Sequence, residues 1–425
     1  MTPAAALLLA GAQLVLGILA SSPPAPPPTP PEARAKTPAP PAVLAEIDRR
    51  IREEFWDAKL PGIDWPAAVE KCAAELAGAK TGAERDAAYD RLLARLEDSH
   101  TFRVPAGRLP ETHWATAGLR IGKEGDGYAV KGLLPGGSAE RAGMKTGDRV
   151  LTIAGKAYGA ARVNFRDLFL ALEGPERGAV EVVWRPAGGE PKTSALALEP
   201  EPPGDALVWR SARILRRDGR AFGYARMWGM STETALALVD LLSDRTETSR
   251  LKAELAGFDG IEGFLLDVRG NSGGYDSSIL ATFLRGRWTA GDYWVKSRGV
   301  RRAVPPEYRP LPVALLVNSG TASSGEALAL KFRQHAIGPI VGEETAGMLS
   351  GGASVARLSD GSALWFSWRA IEDSAGRSYE GRGVPPDVFV SDRPPAAPGL
   401  EDAIIEAGIR ALSARGGKKS ESGNR

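Results

Sequence analysis

The sequence predicts a multidomain α/β protein, and three observations carry that expectation. The chain has 425 residues, more than one ordinary domain holds. Residues 42–96 repeat apolar positions at helical spacing, whereas 114–198 read as short strands separated by glycine turns. From Arg220 onward, apolar strands alternate with helices, which is the pattern of an α/β core.

Composition narrows the function classes. Lys and Arg total 54 against 52 Asp and Glu, so the net charge is only +2. The basic residues are scattered beside acidic ones, so no nucleic-acid partner is expected. Cys72 is the single cysteine, which excludes an intrachain disulfide and a cysteine-type zinc cluster. It sits among alanines on a helix and reads as a buried, inert thiol. Neither a metal nor a cofactor is expected. The histidines are His100, His113 and His335, so an imidazole mechanism has few candidates.

Residues 1–20 carry an apolar run, Ala4–Ala20, followed by small residues. They read as a signal peptide, which implies a periplasmic or secreted protein. The start lacks Lys and Arg, so an uncleaved anchor is the alternative, and any membrane contact would come through it. Residues 21–41 are a proline-rich linker.

Residues 42–110 form the expected helical domain. Val43, Ile47, Ile51 and Phe55 repeat at helical spacing. Asp64-Trp65-Pro66 starts a helix, with Asp64 as N-cap and Pro66 in the first turn. Tyr89, Leu92, Leu93 and Leu96 mark another helix, which ends at Glu97-Asp98-Ser99-His100-Thr101. A histidine there is either a helix-end or surface residue, or a general base delivered by a loop.

Residues 114–200 form a small β-rich unit. Its strands are expected at Ala117–Ile121, Tyr128–Leu134, Gly147–Ile153 and Val180–Arg185, with a helical turn after Gly136-Gly137 and a helix over Val163–Leu172.

Residues 206–412 form the core. A strand at Arg220–Trp228 and a helix at Glu233–Ser243 precede the buried strand Gly263–Arg269. That strand runs into Gly270-Asn271-Ser272-Gly273-Gly274, a turn able to aim free N–H groups at a ligand. It lacks the lysine of a phosphate loop. A helix follows at Ser277–Leu284. Val313–Val317 is the next strand, and Ser323 lies at its turn into a helix beginning near Glu326. Such a turn exposes a hydroxyl at a helix N-terminus, where N–H groups and the dipole favour an oxyanion. Serines at this position are also common N-caps. His335 is about three turns from Ser323, too far to bond its hydroxyl. Ile340–Gly342 is another strand, Glu380–Asp387 a late loop, and Leu400–Leu412 a closing helix. Residues 413–425 read as a disordered tail.

The motifs Leu-Asp-Val-Arg-Gly-Asn-Ser-Gly-Gly, Gly-Thr-Ala-Ser-Ser-Gly-Glu, Val-Gly-Glu-Glu-Thr-Ala-Gly and Gly-Val-Pro-Pro-Asp occur in one order. Together they resemble the C-terminal processing (tail-specific) serine proteases and the related tricorn protease core, over nearly all of Ala42–Leu412. The 114–200 unit, with Ser-Ala-Glu-Arg-Ala-Gly and Gly-Asp-Arg-Val-Leu, resembles a PDZ domain. The resemblance implies a ClpP/crotonase-like α/β core. It also implies that a substrate C-terminus adds as a strand beside Gly118, Leu119, Arg120 and Ile121.

In the lysine-dependent branch, the position of the base is Met348 here, and no lysine lies between Lys331 and Lys418. The tricorn-like branch instead pairs serine and histidine after the helical segment, matching Ser99-His100, and uses a late glutamate, matching Glu380. By resemblance, Ser323 is the nucleophile and His100 the general base. Ser99 and Glu380 orient the ring, and the N–H groups of Gly274 and Ser324 form the oxyanion hole. A Glu380 beside the ring would favour its charged form, with activity rising through pH of roughly 6–7.5. The implied function is hydrolysis of peptide bonds in polypeptides captured by their C-termini. The alternative is an inactive binding protein of the same fold.

Overall fold

The structure is a computed structural model that describes residues 40–106, 115–159, 164–168, 170–174, 178–231, 234–235, 237–238, 260–274, 311–393 and 402–421. The expected signal peptide and most of the linker lie outside the described residues, as do His113 and the helix expected at Ser277–Leu284. So does most of the helix expected at Glu233–Ser243.

Helices α1 (Pro40–Glu54), α2 (Trp65–Gly78) and α3 (Gly82–Ala94) open the chain. Asp64 caps α2 by accepting from the Ala67 N–H, and Thr81 with Glu84 forms a capping box on α3. Ile47, Ile51, Leu92 and Leu93 share a core with Leu364 and Phe366, from more than 250 positions away. Strand β1 (Phe102–Val104) extends that contact by pairing with a distant hairpin. The helical segment therefore closes its core on the rest of the chain.

Next come β2 (Ala115–Thr116), β3 (Leu119–Glu124), β4 (Gly127–Leu133), the short helix α4 (Ser138–Arg141), β5 (Arg149–Ile153) and β6 (Lys156–Ala157). They are followed by α5 (Phe165–Leu168), β7 (Glu173–Gly174), β8 (Ala179–Arg185), β9 (Lys192–Ala197) and β10 (Glu199–Pro200). An antiparallel sheet runs in the order β3-β4-β5-β8-β9, with β6 paired to β5. Val180, Val182 and Trp184 face inward from β8 at the period of a half-buried strand. The helix expected over Val163–Leu172 is shorter: α5 ends at Leu168, and a 3-10 turn covers Leu170–Leu172.

After α6 (Gly204–Ser211), the strands β11 (Arg213–Arg217), β12 (Arg220–Arg226), β13 (Gly263–Asp267), β14 (Val313–Val317), β15 (Ile340–Gly342) and β18 (Val388–Phe389) lie side by side in that order. All are parallel except the β11–β12 pair. Strands β13 and β14 are buried along their whole length, as continuous apolar runs in a covered parallel sheet must be. One face packs on α7 (Ser324–Gln334), the other on α8 (Ala403–Glu421). Helix α8 continues past the expected end at Leu412 into the stretch read as a disordered tail. Its Lys, Ala and Arg residues favour helix, although the paired glycines do not.

A hairpin of β16 (Ser350–Arg357) and β17 (Ala363–Ala370), not among the expected elements, follows β15. It pairs with β1 and brings the helical segment up to the core.

Candidate active site

The site begins where β13 and β14 end side by side. Arg269 is buried against the carboxylates of Asp267, Asp392 and Asp402. Asn318 ties the two strand ends together: its Oδ1 accepts from the N–H groups of Gly270 and Gly320, and its Nδ2 donates to Asp392. The Ala322 N–H then donates to the Asn271 carbonyl at 2.9 Å, which fixes the glycine turn against the serine turn.

Ser323 occupies the position before α7 with φ 53° and ψ −123°, a left-handed conformation for a residue with a side chain. Such a conformation costs on the order of 1–3 kcal/mol and has to be held by its surroundings. Its N–H donates to the Met348 carbonyl and to Glu326 Oε2, both at 3.1 Å. Gly273 lies against it. A Cβ there would stand 2.5 Å from Ser323 Cβ and 2.9 Å from Ser324 N, so only glycine permits the approach.

Glu326 holds the loop behind the serine. Its buried carboxyl also accepts from Thr345 Oγ1 at 2.6 Å and from the N–H groups of Gly347 and Met348, both at 2.8 Å. Burial pushes its pKa up to about 7, opposed by those hydrogen bonds.

His100 arrives from the loop after α3. Its Nε2 lies 3.1 Å from Ser323 Oγ. Its Nδ1 lies 2.9 Å from Ser99 Oγ and 2.8 Å from Ser350 Oγ. Ser99 is held by Glu380, whose Oε1 accepts from the Ser99 N–H at 2.9 Å and whose Oε2 accepts from Ser99 Oγ at 3.2 Å. Because Ser99 donates to Glu380, its oxygen is left to accept from the ring. This fits a proton on Nδ1 and a lone pair on Nε2 directed at Ser323. The loop is anchored by Asp98, whose Oδ1 accepts from the His100 N–H, Thr101 Oγ1 and Ser367 Oγ.

Burial lowers the His100 pKa from 6.5 to about 4, with the Asp98 carboxylate pulling the other way. The upward push expected from Glu380 is reversed. Glu380 reaches the ring only through Ser99, while Phe165 stacks on the imidazole and keeps water from it.

Ser324 Oγ donates to the Gly274 carbonyl at 2.8 Å, so that hydroxyl is engaged and the two residues are joined. Gly274 has φ 131°, and a Cβ there would strike the Met230 carbonyl at 2.2 Å. Gly274 and Ser324, the latter at the start of a helix whose first N–H groups lack intrahelical partners, line the same cleft as Ser323. The cleft encloses about 290 Å³.

The sequence-predicted residues Ser323, His100, Ser99, Glu380, Gly274 and Ser324 thus come together. Met348 does not join them: its side chain is buried in the core of the antiparallel sheet, and only its backbone touches Ser323 and Glu326. Gly118, Leu119, Arg120 and Ile121 lie apart from the cleft and are buried. Arg120 faces Glu173 and Glu201, and a Cβ on Gly122 would meet Ser319 and Gly320, so side chains of this strand pack against the core, while β3 is the end strand of its sheet.

Residues missed in the sequence are Ser350, Phe165 and Glu326. Only Glu326 had a local signal, three residues past the N-cap position.

The chain matches peptidase family S41 over residues 221–390 and the tricorn protease C1 domain over residues 40–94. It is 30% identical over 329 residues to the chloroplastic C-terminal processing peptidase of Tetradesmus obliquus, covering 71% of this chain and 67% of that one. It is 26% identical over 403 residues to tricorn protease homolog 1 of Streptomyces coelicolor, covering 87% of this chain. The chain spans 35% of the length of that homolog. Among solved structures, the photosystem II D1 C-terminal processing protease superposes with a TM-score of 0.54 at 24% identity, over 88% of this chain and 97% of that one. That likeness establishes the mixed α/β fold. Among the described residues, no helix is long and apolar enough to cross a membrane.

Proposed function

The chain belongs to peptidase family S41, and from that premise we propose that it is a serine endopeptidase acting on polypeptides. The observation that carries the proposal is the 3.1 Å contact between Ser323 Oγ and the free nitrogen of His100.

The steps follow from the geometry. His100 Nε2 takes the Ser323 proton as Oγ attacks the scissile carbonyl carbon. The ring is then charged, and Ser99 and Ser350 accept from its Nδ1–H, with Glu380 behind Ser99 offsetting the charge. The carbonyl oxygen becomes an oxyanion between the N–H groups of Gly274 and Ser324, at the positive end of α7. His100 passes its proton to the leaving amine. Water, deprotonated by the same nitrogen, then hydrolyses the acyl-serine.

In this reading the antiparallel sheet of residues 114–200 is a PDZ-like unit that captures substrate C-termini beside its end strand β3. The protein is exported by its N-terminal segment. A purely binding role leaves the serine–imidazole contact without a use. A fluorophosphonate probe tests the proposal: it should label the wild-type protein at Ser323 and not label Ser323→Ala. A protein that takes no label and cleaves no member of a peptide library is not this enzyme.

A further inference from the structure

The cleft contains a cation that the reaction does not use. Strand β17 turns Trp365 and Arg369 toward it at alternate positions, and Ile371 continues that face. Across the hairpin, Gly351 pairs with Arg369. A Cβ on Gly351 would stand 2.6 Å from the Arg369 side chain, and one on Gly352 would stand 3.0 Å from its Nε. Two adjacent glycines therefore clear the path of one arginine. The Trp368 ring, 4.8 Å from the guanidinium carbon, supports it from the side.

The three most buried arginines face carboxylates. Arg103 meets Asp86 and Asp360, Arg120 meets Glu173 and Glu201, and Arg269 meets its aspartates. Among the described residues, no carboxylate lies within ion-pair distance of Arg369. Its Nε, like those of Arg120, Arg226 and Arg333, is closed off from solvent without a hydrogen-bond partner, and of these four arginines only Arg369 lines the cleft. A guanidinium on the wall of a cleft, with no carboxylate beside it, is suited to a charge-assisted bond with an anionic ligand group. His100 is neutral at pH 7, so Arg369 carries the only formal charge among the described residues that line the cleft.

We propose that Arg369 determines specificity by binding a carboxylate of the substrate close to the scissile bond. The carboxylate belongs either to a Glu or Asp side chain or to the chain terminus, because the guanidinium recognises both alike. The inference rests on the peptidase reading for its ligand class.

The experiment separates binding from catalysis by using Ser323→Ala. Its affinity is measured by calorimetry for matched hexapeptides that differ by Glu against Gln at one position, and for acid against amide at the C-terminus. One carboxylate-bearing member should bind about 10–100-fold tighter than its neutral twin. The position of that carboxylate identifies the source. Adding Arg369→Met should bring the ratio near one, and Arg369→Glu should favour a Lys-bearing peptide. Should these variants fail to fold, the ratio in Ser323→Ala alone decides, since it must also shrink with added salt. Equal affinities across all pairs, including no binding at all, overturn the inference. So does a preference that survives Arg369→Met. Fluorophosphonate labelling of Ser323, read separately, reports on the peptidase reading alone.

Discussion

The ring of Phe165 stacks on the imidazole of His100, with centroids 4.7 Å apart and planes 28° apart. The Phe165 N–H also donates to the Ser99 carbonyl at 2.9 Å. A short helix of the antiparallel-sheet unit thus covers the proposed base, which comes from the helical segment. In Phe165→Ala, water should reach the ring, and the acid limb of kcat/KM should move from near pH 4 toward 6.5. The rate should fall by as much as about 10², since the ring also loses its lateral support. An unmoved acid limb contradicts the shielding role.

In the wild type, the working neutral imidazole is lost only below about pH 4, because burial disfavours the charged ring. Between pH of about 6 and 7.5, kcat/KM should be flat on account of this group. The same shift bears on stability. The unfolded chain binds the proton more tightly, so this contribution is complete above pH 6.5 and declines as pH falls toward about 4. A pH–rate profile with a midpoint near 6.5 would show the ring to be solvated.

His100→Ala should lower kcat by about 10²–10⁴. Met348→Lys should not restore activity to it. Residue 348 packs its side chain into an apolar core, where an ammonium is costly. Rescue at alkaline pH by the lysine would refute this placement.

Ser350→Ala removes one of the two hydroxyls at His100 Nδ1. Losing a single hydrogen bond of this kind corresponds to about a 3–10-fold fall in kcat. Glu380→Ala should cost more, because it releases both the Ser99 hydroxyl and the Ser99 N–H. Steady-state kinetics of the two variants gives the order, and the reverse order would place Ser350 at the head of the relay.

Gly273→Ala should silence the enzyme without abolishing the fold. The new methyl collides with Ser323 and Ser324 and must adopt φ near +91°. The stability cost should be about 1–3 kcal/mol, read from thermal melts, while fluorophosphonate labelling of Ser323 is lost.

Much of this was legible in the chain because it is local. Apolar runs marked β13 and β14, the Asp64 cap opened a helix, and the glycine and serine turns followed the strands that position them. Motif order, compared with known proteases, also paired Ser323 with His100 and Glu380. What no spacing could tell is how deeply the histidine is buried. Desolvation depends on every atom around the ring, and those atoms come from residues 165, 323 and 350, far apart in sequence. Ser350 and Arg369 reach the cleft through a hairpin whose partner strand is β1, a pairing set by tertiary packing. Likewise, the face of β3 at Gly122 is covered by the turn after β14, a contact between segments far apart in sequence. Sequence determines which residues alternate across a strand, and only the packed molecule decides what covers each face, because the covering atoms come from distant segments.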